Sequence, residues 1–213
     1  MTYSIVARDP TARMFGVAVQ SKFTAIGALT PWARADAGAV ATQAWINVTY
    51  GSHGLGLLAS GLSAEATIDQ LTAQDPLCAH RQVGIVGASL APVTYTGVAC
   101  PDWAGGQVGT DYATQGNFLT GPEVIAAMAG AFEATPGALW DRLVAALAAG
   151  QAAGGDRRGQ QSAAILVVAE GAGFRGYGDR LIDVRVDDHP QPVEELRRIL
   201  SVRLADPVWS ATE

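Results

Sequence analysis

The chain has 213 residues, 49% hydrophobic and 16% charged, with a formal net charge of -6. That length and apolar share suit one domain, residues 1–213, built on one core, and the acidic balance argues against a nucleic-acid binder, which needs a basic stripe. The apolar run at residues 163–169, which no other run exceeds in length, is too short to span a bilayer, and Arg8, Asp9 and Arg13 interrupt any signal-like stretch, so the expectation is a cytoplasmic protein without a membrane partner. Residues 2–7 read as a strand, Asp9-Pro10-Thr11 as its turn, and residues 14–19 as the returning arm of a hairpin. A short strand is expected within residues 26–32 and a longer one over 37–45.

Two helices are expected next, one over the Gly-rich residues 50–61 and one over 63–74. The second has Ser63 as N-cap, Glu65 in its first turn and Asp75-Pro76 as its stop. Strands follow over residues 82–87, 92–98 and 113–119. Pro122 suits a first helical turn, with Ile125, Met128 and Phe132 on one face, and beyond Pro136 a further helix repeats Leu139, Leu143 and Leu147 before Gly150. Residues 161–170 and 181–186 read as strands, and a last helix runs from about 192 to 204, its acids early and its arginines late. Strands apolar on both faces, with helices in pairs between runs of strands, predict an α+β fold, a four-layer α-β-β-α sandwich.

Familiar site motifs are missing. No G-x-G-x-x-G follows a strand, no G-K-[ST] occurs, and Tyr50-Gly51-Ser52-His53-Gly54 lacks the first glycine of a nucleophile elbow. Cys78 and Cys100 form no C-x-x-C, and His53, His80 and His189 are scattered, so neither a disulfide framework nor a metal site is indicated, and no cofactor is expected. A metal hydrolase using His53 or His189 is the weakest reading. Trp32, Trp45 and Trp103 are candidate pocket liners, with packing at strand ends as the plainer account.

One arrangement does carry chemistry. A threonine at a chain's own N-terminus has its base built in, because the free α-amine, with an ordinary pKa of about 7.7–8, serves the hydroxyl. Thr2 would present that pair once Met1 is removed. Of the fourteen basic residues only Lys22 is a lysine, and pairing across the hairpin is expected to bring it beside Thr2, where its charge would lower the amine's pKa. The alternative is that Thr2 merely follows the initiator.

The strings Thr2-Tyr3-Ser4-Ile5-Val6-Ala7, Gly16-Val17-Ala18-Val19-Gln20-Ser21-Lys22-Phe23, Gly38-Ala39-Val40-Ala41-Thr42-Gln43-Ala44, Gln115-Gly116-Asn117 and Gly154-Gly155-Asp156-Arg157-Arg158-Gly159-Gln160-Gln161-Ser162 resemble an uncharacterised bacterial family of the N-terminal-nucleophile (Ntn) hydrolase superfamily. The layer order, too, resembles that of proteasome β-subunits. The resemblance implies Thr2 as nucleophile, and Gln20 stands where the proteasome string carries a supporting acid. Asp156 and Ser162 lie roughly where that superfamily places a supporting Asp and Ser.

The resulting expectation is an amidohydrolase acting on a small amide or peptide. Thr2, Lys22 and Asn117 are the catalytic candidates, Asn117 as oxyanion donor, and Gln43, Gln115, Asp156 and Ser162 the substrate-binding candidates. Turn-stabilising amides are the rival account of Gln115 and Asn117. Arg157 or Arg158, in a Gly-rich loop, could hold a carboxylate bidentately, or the loop could be a solvated connection. The superfamily leaves room for a homo-oligomer. The rival function is a catalytically silent member that uses the same fold to bind a ligand or to assemble.

Overall fold

The structure, a computed structural model, describes residues 2–89 and 91–210, with the side chains of 209 and 210 left aside. β1 (Thr2–Asp9) and β2 (Met14–Ser21) form the expected hairpin. Its turn is held by Asp9 Oδ1, which accepts from the backbone N–H groups of Thr11 and Ala12 at 3.0 and 2.9 Å. Asp9 therefore fixes the register, in which Asp9 faces Met14 and Thr2 faces Ser21.

β1 and β2 lie at the centre of an antiparallel sheet completed by β7 (Gly105–Val108), β8 (Tyr112–Asn117), β9 (Ser162–Val168) and β10 (Arg180–Val186), in the order β10-β9-β2-β1-β8-β7. The second sheet, also antiparallel, orders β3 (Pro31–Arg34), β4 (Gly38–Ala44), β5 (Arg81–Gly87) and β6 (Val93–Thr96) in sequence.

Alternation along β1 sorts its side chains. Tyr3, Ile5 and Ala7 enter an apolar cluster with Met128 and Phe132 of α3 (Glu123–Ala134) and Leu143 and Leu147 of α4 (Leu139–Ala152). Val6 instead joins Val17, Ala39, Ala41 and Val86 in a cluster that fills the space between the sheets. Beyond the second sheet, Val40, Val83 and Ile85 pack on Tyr50, Leu55 and Leu58 of α1 (Thr49–Ala59) and Ile68 and Leu71 of α2 (Ala64–Ala73). α5 (Pro192–Ala205) covers β9 and β10 through Val193, Leu196 and Leu200, and a short α6 (Pro207–Ser210) follows. Both faces of the central strands are buried, which is why their sequences are continuously apolar.

Three expectations shift. The short strand placed within residues 26–32 is a single helical turn at Ile26–Ala28 followed by β3. The strand placed at 113–119 stops at Asn117, because Phe118 turns into the left-handed region with φ of +60°. β7 was unforeseen; its Gly-Gly-Gln-Val sequence has weak strand propensity, and pairing with β8 alone makes it a strand. Ser63 caps α2 as expected, accepting from Ala66 N–H at 3.1 Å. No helix among the described residues is long and apolar enough to cross a membrane.

Candidate active site

Cross-strand register gathers four polar side chains at one end of the larger sheet. Thr2 faces Ser21 on β2 and Asn117 on β8, and Ser21 faces Ser162 on β9. Opposed residues share a face, so Ser162, Ser21, Thr2 and Asn117 form one row, on the side turned toward the second sheet. Thr2 is 1% exposed, and its Oγ1 donates to Ser21 Oγ at 3.0 Å.

Behind that row a buried amide network joins the two sheets. Gln115 Nε2 donates to Ser4 Oγ at 2.6 Å, and Ser4 Oγ donates to Gln43 Oε1 at 2.6 Å. Gln43 Nε2 donates to the Thr2 carbonyl at 3.3 Å and to Gln82 Oε1 at 2.8 Å, which also accepts from Asn117 Nδ2 at 2.8 Å. Backbone carbonyls fix the orientation of these amides. Gln82 Nε2 must face the Gly116 carbonyl at 2.7 Å, and Gln115 Nε2 the Ser4 carbonyl at 3.3 Å, so each oxygen points the other way. One N–H of the Asn117 amide is thereby taken by Gln82, while Asn117 Oδ1 and Gln115 Oε1 have no protein partner among the described residues.

The candidates named from sequence are distributed as follows. Thr2 and Asn117 are neighbours, and Gln43 and Gln115 lie in the network that supports them. Ser162 ends the row but is committed to the backbone, donating to the Phe23 carbonyl and accepting from Ile26 N–H at 3.1 Å. Asp156 is 1% exposed and serves as an anchor. Its carboxylate accepts from Lys22 N–H at 3.1 Å and from Arg158 Nη2 at 2.6 Å, which ties the 154–160 loop to the end of β2.

Lys22 corrects one expectation. The residue that the hairpin sets beside Thr2 is Ser21, with Lys22 one position beyond it. The Lys22 side chain is exposed, and its Nζ donates to the Gln160 carbonyl at 3.4 Å. Gln20 lies on the opposite face, across from Tyr3. It is fully buried, and its amide has no protein partner among the described residues. The Tyr3 hydroxyl is held neutral, its pKa raised by burial and by the nearby Asp156 carboxylate.

Sequence reasoning missed Ser21, Ser4 and Gln82. The first was readable, since counting back through the Asp9-Pro10 turn sets Ser21 opposite Thr2. Of the tryptophans, Trp32 packs against Gly51 and Trp103 against the helix-side core, whereas Trp45 is 63% exposed and stacks on His80 at 5.0 Å. Cys78 and Cys100 are free thiols. Among the described residues no group of three or more His, Cys, Asp or Glu is gathered as a metal site would need. Met1, whose removal the nucleophile reading requires, lies outside the described residues.

The family model described as a family of unknown function, DUF1028, matches residues 2–196. The chain belongs to the DUF1028 family. The crystal structure of protein SPO2555 from Silicibacter pomeroyi, assigned to DUF1028 as well, is similar to it at 28% identity. That match covers 97% of this chain and 88% of the other, with a TM-score of 0.89. No curated protein matches the chain. The DUF1028 match spans every residue of the row and of the network behind it.

Proposed function

We propose that the two sheets and their flanking helices are a four-layer α-β-β-α sandwich of the Ntn type, and that the protein is an amidohydrolase that cleaves a small amide or peptide bond through Thr2. The observation that carries this reading is the seat of Thr2. It begins the central strand, between two polar neighbours, with its hydroxyl bonded to Ser21. With Met1 removed, the α-amine of Thr2 takes the hydroxyl proton as Oγ1 attacks the amide carbon. An N–H of Asn117 or of the backbone holds the developing oxyanion. The C–N bond breaks, the amine returns its proton to the leaving nitrogen, and water then hydrolyses the ester on Thr2. Lys22 contributes charge at the rim and makes no bond to the nucleophile.

Intact mass and N-terminal sequencing of the untagged protein, followed by reaction with a β-lactone electrophile, test this reading. The expected result is a chain beginning at Thr2 that takes one adduct on the Thr2 peptide, with Thr2→Ala taking none. A chain that keeps Met1 quantitatively in its native host, or an adduct elsewhere, overturns it. One observation favours the silent alternative of a binding or assembly frame: Thr2 is 1% exposed, its hydroxyl already paired. In that case Thr2→Ala leaves ligand binding unchanged and no turnover is found.

A further inference from the structure

The 154–160 loop carries two adjacent arginines, and the structure separates their roles. Arg158 bonds both carboxylate oxygens of Asp156 at 3.0 and 2.6 Å, and its guanidinium also lies 5.4 Å from the centre of the Phe118 ring. Arg157 is exposed, and no carboxylate among the described residues pairs with it. Its guanidinium lies 4.1 Å from the centre of the Phe118 ring, and its backbone N–H donates to the Phe118 carbonyl at 3.1 Å. One face of the cation is thus held against an aromatic ring, a contact that orders the side chain and leaves its N–H edge open.

The position of that edge matters. Phe118 directly follows Asn117, the cross-strand partner of Thr2, so its Cα lies within roughly 9 Å of the Thr2 Cα. The loop is pinned on its other side as well, through Asp156 to the backbone of Lys22, next to Ser21. Arg157 is therefore fixed relative to both neighbours of Thr2. Lys22, at the same rim, donates only to a carbonyl, while Asp156 is engaged by Arg158 and Asp188 by Gln161 Nε2 at 3.0 Å. In a chain of net charge -6, Lys22 and Arg157 are thus two cations without a carboxylate partner among the described residues, at the end of the sheet that carries Thr2.

We propose that Arg157, braced on Phe118, binds a carboxylate of the ligand, so that the Thr2 site takes amides that also carry a free carboxylate, such as N-acylated amino acids. The identity of these ligands as substrates rests on the hydrolase reading; the carboxylate site does not. A planar carboxylate matches the open guanidinium edge bidentately, which a neutral amide or ester cannot do.

The test uses the full chain carrying Thr2→Ala, so that binding is read without chemistry. Calorimetric titrations compare N-acetylglycine and N-benzoylglycine with their neutral glycinamide counterparts. The expected result is at least about tenfold tighter binding of the carboxylates. Adding Arg157→Gln removes that preference, whereas Arg13→Gln, at the far end of the hairpin, leaves it intact. Arg157→Lys, which keeps the charge but loses the fork, restores part of it. Equal binding of acid and amide, a preference that survives Arg157→Gln, or no binding of any of the four compounds overturns the proposal. Carboxylate preference in a protein whose unmodified Thr2 takes no electrophile would instead sink the hydrolase reading and leave this site standing.

Discussion

Gln82 shows how much one side chain can organise. From β5 it reaches the Gly116 and Gly105 carbonyls and Thr96 Oγ1 with its nitrogen, and accepts from Gln43 and Asn117 with its oxygen. Truncation leaves buried amides and carbonyls without partners, and such groups cost their full desolvation. Gln82→Ala is therefore expected to lower stability by about 3 kcal/mol in urea unfolding, and to weaken Thr2-dependent labelling because Asn117 loses its brace. A loss under about 1 kcal/mol would show that the network rearranges freely. Nothing local marks Gln82 as a hub, since its partners come from β4, β6, β7 and β8. The place of Thr2 at the head of an apolar strand, by contrast, is readable from the sequence.

At the scale of elements, glycines record where sheets and helices approach. A Cβ on Gly84 of β5 would stand 2.2 Å from Gln115 Oε1, so this glycine is what lets the Gln115 amide lie between the sheets. Gly84→Ala must displace that amide from Ser4 and is expected to cost about 2 kcal/mol. The cost should largely vanish in a Gln115→Ala background, and a double-mutant cycle showing simple additivity would contradict the contact. Gly51 plays the same part for α1, where a Cβ would meet the Trp32 ring at 2.2 Å, so Gly51→Ala is expected to lower the unfolding midpoint by lifting α1 from β3. Glycines lower the helix propensity of α1, yet Gly51 and Gly54 are buried positions that face Trp32 and Val40 of the sheet.

At the scale of the whole molecule, acid stability should pass through Asp75. The Asp75–Arg81 pair, 2.8 Å apart and mostly buried, ties the end of α2 to the start of β5, and Arg81 Nη1 continues to the Trp45 carbonyl at the end of β4. The Arg81 hydrogen bond first, then the Leu77 N–H and Asn47, hold the Asp75 carboxyl well below the usual carboxylate range against the opposing effect of burial. A carboxyl whose pKa is depressed on folding contributes stability that is fully present above its unfolded value, about 3.9, and is lost as pH falls toward the lowered folded value. Asp75→Asn, which strands the Arg81 charge, is expected to cost about 3 kcal/mol at neutral pH, and its deficit should shrink below about pH 4. Equal deficits at pH 3 and pH 7, read from urea midpoints, would show that the pair does not govern acid unfolding.

The same scale separates what was legible in the sequence from what was not. Most strand and helix identities, the hairpin, the Ser63 cap and the pairing of helices between runs of strands follow from local propensity and periodicity, which act within a few residues. The row of Ser162, Ser21, Thr2 and Asn117, the amide network, β7 and the division of labour between Arg157 and Arg158 depend on register between strands distant in sequence. A shift of one residue would turn Ser21 away from Thr2 and put Lys22 in its place. The Asp9 turn, the apolar cluster between the sheets and the orienting carbonyls set that register, and they meet only when the sheets close on one another. The sequence by itself thus determined the elements with strong local signals and the residue that heads the central strand; tertiary packing decided β7 and which side chains stand beside that residue.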